Sequence, residues 1–131
     1  MTKAPDTVGE VMTREVVTVG PDDPVEEAVR AMVDHDIGAI VVADGDRPVG
    51  VFTERDLTRR ILDELDLLKR PVKEVMSSPA VSTEPDAQMV NAFDLMNDRA
   101  VRRLVVVDGD RMVGIVTERD LLRWVSAVAR E

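Results

Sequence analysis

The sequence predicts an α/β (α+β) fold built from two β-α-β-β-α repeats, packed sheet to sheet with pseudo-two-fold symmetry. Three observations lead there. The phrase GVFTERDL at Gly50–Leu57 returns as GIVTERDL at Gly114–Leu121. The offset of 64 residues, Thr53 to Thr117, then holds over most of the chain without a gap. It pairs Glu10-Val11-Met12-Thr13 with Glu74-Val75-Met76-Ser77, and Pro21-Asp22 with Pro85-Asp86. Lastly, hydrophobic residues make up 44% of the 131-residue chain, enough for a core, while a half of ~60 residues buries too little surface to stand comfortably alone. A constant register over this length points to duplication of a whole structural unit. The expected division is a tail at 1–7, a first repeat at 8–71 and a second at 72–131.

Each repeat reads the same way. A β-rich stretch comes first, Val16–Val19 in one copy and Ala80–Thr83 in the other. Pro21 and Pro85 mark a turn, and Asp22 and Asp86 are expected to cap the helix that follows. In that helix Val25, Ala28, Val29 and Met32 fall at i, i+3, i+4, i+7, as do Met89, Ala92, Phe93 and Met96. A hairpin follows, 40–43 to 49–52 around Gly45, with its twin, 104–107 to 113–116, around Gly109. Each repeat closes with a helix that starts in the TERD phrase. Leu57, Ile61, Leu65 and Leu68 are expected to extend the first of these as an apolar face, and Leu121, Leu122 and Val125 the second.

Composition excludes several classes of function. The chain has no cysteine, so neither a disulfide scaffold nor a thiolate metal site can form. The net charge of −9 repels nucleic acid phosphates and anionic membranes, so neither is an expected partner. No apolar run approaches the ~20 residues of a membrane helix and no signal peptide is evident, which makes the cytoplasm the expected location. A single histidine, His35, assembles neither a zinc site nor a catalytic relay, so no catalytic residue, no metal and no required cofactor are expected. Asp44-Gly45-Asp46 and Asp108-Gly109-Asp110 lack the further ligands of a calcium loop and read as hairpin turns. Met32, Met89 and Met96 read as core. Phe93 does too, whereas Trp124 is a candidate for a subunit contact.

The TERD phrase supports two roles at once. Thr53 followed by Asp56, and Thr117 followed by Asp120, has the spacing of a capping box, with the acid reaching back to the amide of the N-cap. An acid in the first turn also suits the helix dipole. The same geometry, a strand running into a helix N-terminus, offers amides and a positive end to polar ligand groups. A carboxylate there can accept hydrogen bonds from both vicinal hydroxyls of a ribose.

Taken together, these residues resemble a tandem pair of CBS (cystathionine β-synthase) domains. The resemblance rests on Val11-Met12-Thr13 and Val75-Met76-Ser77 at the repeat starts, on the two Asp-bearing hairpins ending in Gly50 and Gly114, and on the two Gly-x-x-Thr-x-x-Asp phrases. It spans nearly the whole chain. It implies a regulatory module that binds adenosine-containing ligands of the AMP, ADP or ATP type, AMP foremost, in clefts between the repeats. Occupancy would pass through a homodimer or to a target protein. The alternative is a ligand-independent dimerisation or scaffold module in which Thr and Asp are caps alone.

By the same resemblance, each cleft takes Thr and Asp from one repeat and its remaining wall from the other. The first expected cleft comprises Thr53 and Asp56 with Arg102, Arg103, Val81 and Ser82. The second comprises Thr117 and Asp120 with Ile37, Gly38, Ala39, Val17 and Thr18. The repeat breaks here, since Gly38 and Ala39 are matched by Arg102 and Arg103. Arginine can make charge-assisted bonds to phosphate, and alternation along a strand turns only one of the two toward a ligand, taken here to be Arg103. The first cleft is therefore expected to prefer phosphorylated adenosine.

Overall fold

The computed structural model describes residues 6–130; residues 1–5 of the expected tail, and residue 131, lie outside the described residues. It contains the β-α-β-β-α order twice. The first copy is β1 (Thr18–Val19), α2 (Val25–Asp34), β2 (Ala39–Asp44), β3 (Arg47–Thr53) and α3 (Glu54–Arg60). The second is β4 (Ser82–Thr83), α4 (Met89–Arg99), β5 (Arg103–Asp108), β6 (Arg111–Thr117) and α5 (Glu118–Ala129). In each copy the short first strand runs parallel to the second, and the second and third form an antiparallel hairpin. Both hairpins turn through two residues, with Gly45 and Gly109 at φ +64°, a conformation that favours glycine.

The chain forms two compact units, and they are cut elsewhere than the sequence repeats. One is Val17–Ala80; the other joins residues 6–16 to residues 81–130. The segment that opens each repeat therefore packs with the sheet of the other repeat. In the first unit Ser77 and Val51 exchange both backbone hydrogen bonds at 2.9 Å, and in the second Thr13 and Ile115 do the same. Each opening segment thereby covers the free edge of a hairpin, an edge that would otherwise present unpaired backbone groups.

This arrangement explains a difference from the capping expected at Asp22 and Asp86. The N-caps of α2 and α4 are Pro24 and Gln88, and neither gives a side-chain cap bond. The first helical amides are met by main chain instead: Val25 N–H donates to the Arg70 carbonyl at 2.9 Å, and Met89 N–H to the Asp6 carbonyl at 2.8 Å. Pro24 also disfavours helical geometry at the residue before it, which delays the start of α2. Asp23 turns back, its carboxylate accepting Gly20 N–H at 2.7 Å. A four-residue helix, α1 (Val8–Val11), opens the first repeat and is capped at its N-terminus by a Thr7–Glu10 capping box. The Thr-x-x-Glu spacing of that box is visible in the sequence.

Each unit has its own core. Val25, Ala28, Met32, Ile40, Val42, Phe52, Leu67 and Val72 fill one; Val8, Met89, Ala92, Met96, Leu104, Val106, Val116 and Leu121 fill the other. Of the helical spacing expected for α2 and α4, Val25, Ala28, Met32, Met89, Ala92 and Met96 are buried, while Val29 and Phe93 are half-buried against the cores. Phe93 and Trp124 pack on one another with ring centroids 6.1 Å apart, so Trp124 belongs to its own unit's packing. The expected first strands shrink to two residues each. The long apolar face expected after Leu57 is also corrected. Helix α3 ends at Arg60, whose carbonyl takes the amides of Asp63 and Glu64 at 3.0 and 2.9 Å. The chain doubles back so that Leu67, not Leu65, enters the core, leaving Leu65 93% exposed.

Candidate ligand-binding edges

In the unit of residues 17–80, β3 runs straight into α3 at Thr53. The hydroxyl of Thr53 accepts Asp56 N–H at 3.2 Å. Asp56 Oδ2 in return accepts Thr53 N–H at 2.9 Å and the Thr53 hydroxyl at 3.0 Å. Both return bonds fall on one carboxylate oxygen, so the cap leaves Oδ1 available to a further donor. Beside this corner lies the start of β2. Ala39 is the register partner of Thr53, and the Gly38 carbonyl accepts Glu54 N–H at 3.0 Å. The Glu54 carboxylate lies across Gly38, in the space a Cβ there would take. Thr18 sits one strand further, opposite Val41, and Val17 and Ile37 are half-buried against the core.

The other unit repeats the corner with different charges. Asp120 Oδ2 accepts Thr117 N–H at 2.9 Å and the Thr117 hydroxyl at 3.2 Å. Asp120 is the one buried charged side chain among the described residues, at 7% exposure, and it heads the longer helix. Arg103 is the register partner of Thr117, and the Arg102 carbonyl accepts Glu118 N–H at 3.0 Å. Where Gly38 leaves Glu54 lying over bare backbone, Arg102 reaches Glu118, Nε to Oε1 at 3.8 Å, both side chains well exposed. Such a pair contributes little to stability. Ser82 sits opposite Val105, and the Val81 carbonyl accepts Val105 N–H at 3.0 Å.

The structure thus gathers Ile37, Gly38, Ala39, Val17, Thr18, Thr53 and Asp56 in one unit. It gathers Val81, Ser82, Arg102, Arg103, Thr117 and Asp120 in the other. One edge carries two arginines and the other none at matching positions. Two features lay outside the sequence reading. Glu54 and Glu118, inside the TERD phrase, border positions 38 and 102. Asp36 and Ala100, also 64 residues apart, enter β2 and β5 at φ +52° and +53°. Aspartate is enriched in the left-handed conformation among non-glycine residues, whereas alanine does not advertise it. Among the described residues, no group of three or more His, Asp or Glu side chains is placed to hold a metal ion.

Two copies of a three-stranded sheet with helices, each ending in a Thr/Asp corner, match one family model, the CBS domain, over residues 8–63 and again over 72–127. The chain belongs to the CBS-domain family. Among CBS-domain relatives, the CBS domain-containing protein YhcV of Bacillus subtilis is 37% identical over 115 residues, covering 88% of this chain and 82% of YhcV. The uncharacterized protein MK0525 of Methanopyrus kandleri is 36% identical over 123 residues, which is 89% of this chain but 61% of MK0525. Among solved structures, CBSX2 in complex with AMP superposes with a TM-score of 0.83 at 25% identity, covering 96% of this chain and all of the other.

Proposed function

We propose that this CBS pair is a regulatory module for adenosine-containing ligands, with AMP as the foremost candidate, and that it carries no catalysis of its own. Asp56 and Asp120 are the ribose contacts, each held by its threonine. Arg103 is the phosphate contact. Thr53, Thr117, Arg102, Val81, Ser82, Val17, Thr18, Ile37, Gly38 and Ala39 form the surrounding surface. The observation that carries this reading is the way the caps are made: in both corners the carboxylate satisfies its threonine through Oδ2 alone. Each aspartate is thereby fixed in orientation while one oxygen stays open to a diol. The AMP complex of CBSX2 supports the ligand class.

Ligand binding would shift the module between states only by its differential affinity for them, and a dimer or a target protein would read the shift. A cytoplasmic location fits a sensor of adenine nucleotides. Among the described residues no helix is long and apolar enough to cross a membrane. The completeness of the capping boxes favours the second reading, a scaffold in which Thr and Asp only cap. Thermal shift against AMP, ADP, ATP and adenosine separates the two, since a ligand that binds the folded state raises its apparent stability. The regulatory reading expects a rise with at least one of them; no rise with any supports the scaffold.

A further inference from the structure

The chain carries no cysteine, so its sulfur chemistry belongs to its methionines. Met32, Met89 and Met96 are buried in the two cores. Met12, Met76 and Met112 are half-buried and meet solvent. Two of these, Met12 and Met76, stand at matching places, 64 residues apart, in the segments that open the repeats. Met76 lies on Gly50 of β3 and Met12 on Gly114 of β6, sulfur and neighbouring methylene filling the room a Cβ would need. The next residue in each segment makes the edge ladder, Ser77 with Val51 and Thr13 with Ile115. The amides of those four residues are spent on one another. An oxygen added to either sulfur therefore finds no free ladder donor, and burying a polar atom without a partner is costly.

We propose that Met12 and Met76 are a matched pair of oxidation sites, and that conversion to the sulfoxide frees the opening segments from the edges of β6 and β3. The oxidant is a peroxide. The thioether sulfur attacks one peroxide oxygen, an S–O bond forms and the O–O bond breaks. The second oxygen leaves and takes the proton of the first, so that hydrogen peroxide gives sulfoxide and water. The sulfoxide is polar where the thioether was apolar, and the side chain leaves its glycine for water. Val72 and Val75 in one unit, and Val8 in the other, stay anchored in the cores, so the release is local. The loosened edge is the strand that leads into Thr53 or Thr117, each three residues beyond its glycine. Each methionine lies in the same compact unit as its glycine, and the inference stands apart from the nucleotide reading. Met112, opposite Val107, belongs to a hairpin and not to an opening segment, and serves as a control.

Hydrogen peroxide on the full chain, read by peptide mass spectrometry and amide hydrogen exchange, tests it. Met12 and Met76 are expected to be oxidised ahead of Met32, Met89 and Met96. Exchange at the Val51, Ser77, Thr13 and Ile115 amides is expected to rise at least ~tenfold, as loss of a backbone bond in each ladder predicts. The Val25 and Met89 amides, held by the Arg70 and Asp6 carbonyls, are expected to stay protected. Methionine sulfoxide reductases are expected to restore the ladders in the wild type. Met12→Leu with Met76→Leu keeps the volume and removes both sulfurs. Its ladder exchange is expected not to respond to peroxide, although Met112 is still oxidised. Four results would each overturn the proposal: core methionines oxidised as fast, oxidation at 12 and 76 without a rise in exchange, a rise the reductases do not reverse, or a rise that persists in the leucine variant.

Discussion

Met76 lies across Gly50 so closely that a Cβ at Gly50 would stand 2.5 Å from its sulfur, and Met12 lies across Gly114 at the same 2.5 Å. The two pairs explain why each Gly-x-x-Thr-x-x-Asp phrase begins with glycine. The opening segment of one repeat docks there on the hairpin of the other, with Ser77 and Thr13 carbonyls also 2.8 and 2.9 Å from the missing Cβ atoms. Gly50→Ala is expected to cost about 2 kcal/mol, because backbone as well as a side chain must give way. Gly38→Ala meets only the far end of the flexible Glu54 and is expected to cost far less. Urea denaturation of both variants checks the contrast; equal losses would contradict it.

Ala100 and Asp36 close their helices in the left-handed region, and the residue after each donates back five positions, Val101 N–H to Met96 at 3.1 Å and Ile37 N–H to Met32 at 3.0 Å. Glycine is the usual occupant of such a position. Ala100→Gly is therefore expected to raise stability by roughly 1 kcal/mol, since relief of the Cβ clash outweighs the added freedom of the unfolded chain. A lowered denaturation midpoint would contradict this.

The Glu10 carboxylate accepts the amide of Thr7 at 3.2 Å and its hydroxyl at 2.9 Å. The Thr7 hydroxyl bond is the largest cause holding its pKa below the usual carboxylate value, followed by the amide bonds. A depressed folded-state pKa contributes stability above the unfolded value near 4.5, and that stability is lost as pH falls through the folded pKa. Glu10→Gln is thus expected to lower the melting temperature slightly at pH 7 and to flatten its fall below pH 4.5. A difference from wild type that is the same at every pH would contradict this account.

Arg103→Ala is expected to weaken AMP by about tenfold or more while changing adenosine little, because a charge-assisted bond to phosphate contributes roughly 1.5–3 kcal/mol. Equal losses for both ligands would remove Arg103 from the phosphate role. Combining it with Asp56→Ala reads the pairing expected from the sequence. Shared ligand contacts give non-additive losses, and additive losses contradict the pairing.

Most of the architecture was legible because two codes agree in it. Helical spacing at Val25–Met32 and at Met89–Met96, and alternation around Gly45 and Gly109, each appear twice in constant register. The Thr53–Asp56 box was legible because capping is local, spanning four residues. What the sequence hid is non-local. Nothing near Asp22 shows that Val25 N–H will be met by Arg70, and nothing near Met12 shows that it will lie on Gly114. The end of α3 was hidden for a similar reason: Leu65 and Leu67 are equally apolar, and only the return of the chain toward Val72 decides which is buried. At the ligand edges the residue types were legible, whereas the placement of Glu54 over Gly38 and the left-handed Asp36 and Ala100 depend on backbone geometry that composition does not encode.

On the proposed function, the TERD aspartates bind ribose in addition to capping their helices. Isothermal titration of AMP into wild type, Asp56→Ala, Asp120→Ala and the double variant, each with its melting temperature, tests it most directly. Each single variant is expected to lose AMP at its own cleft and the double variant to bind none, while stability falls by only about 1 kcal/mol per cap. AMP affinity unchanged in the double variant, with the caps alone weakened, would contradict it.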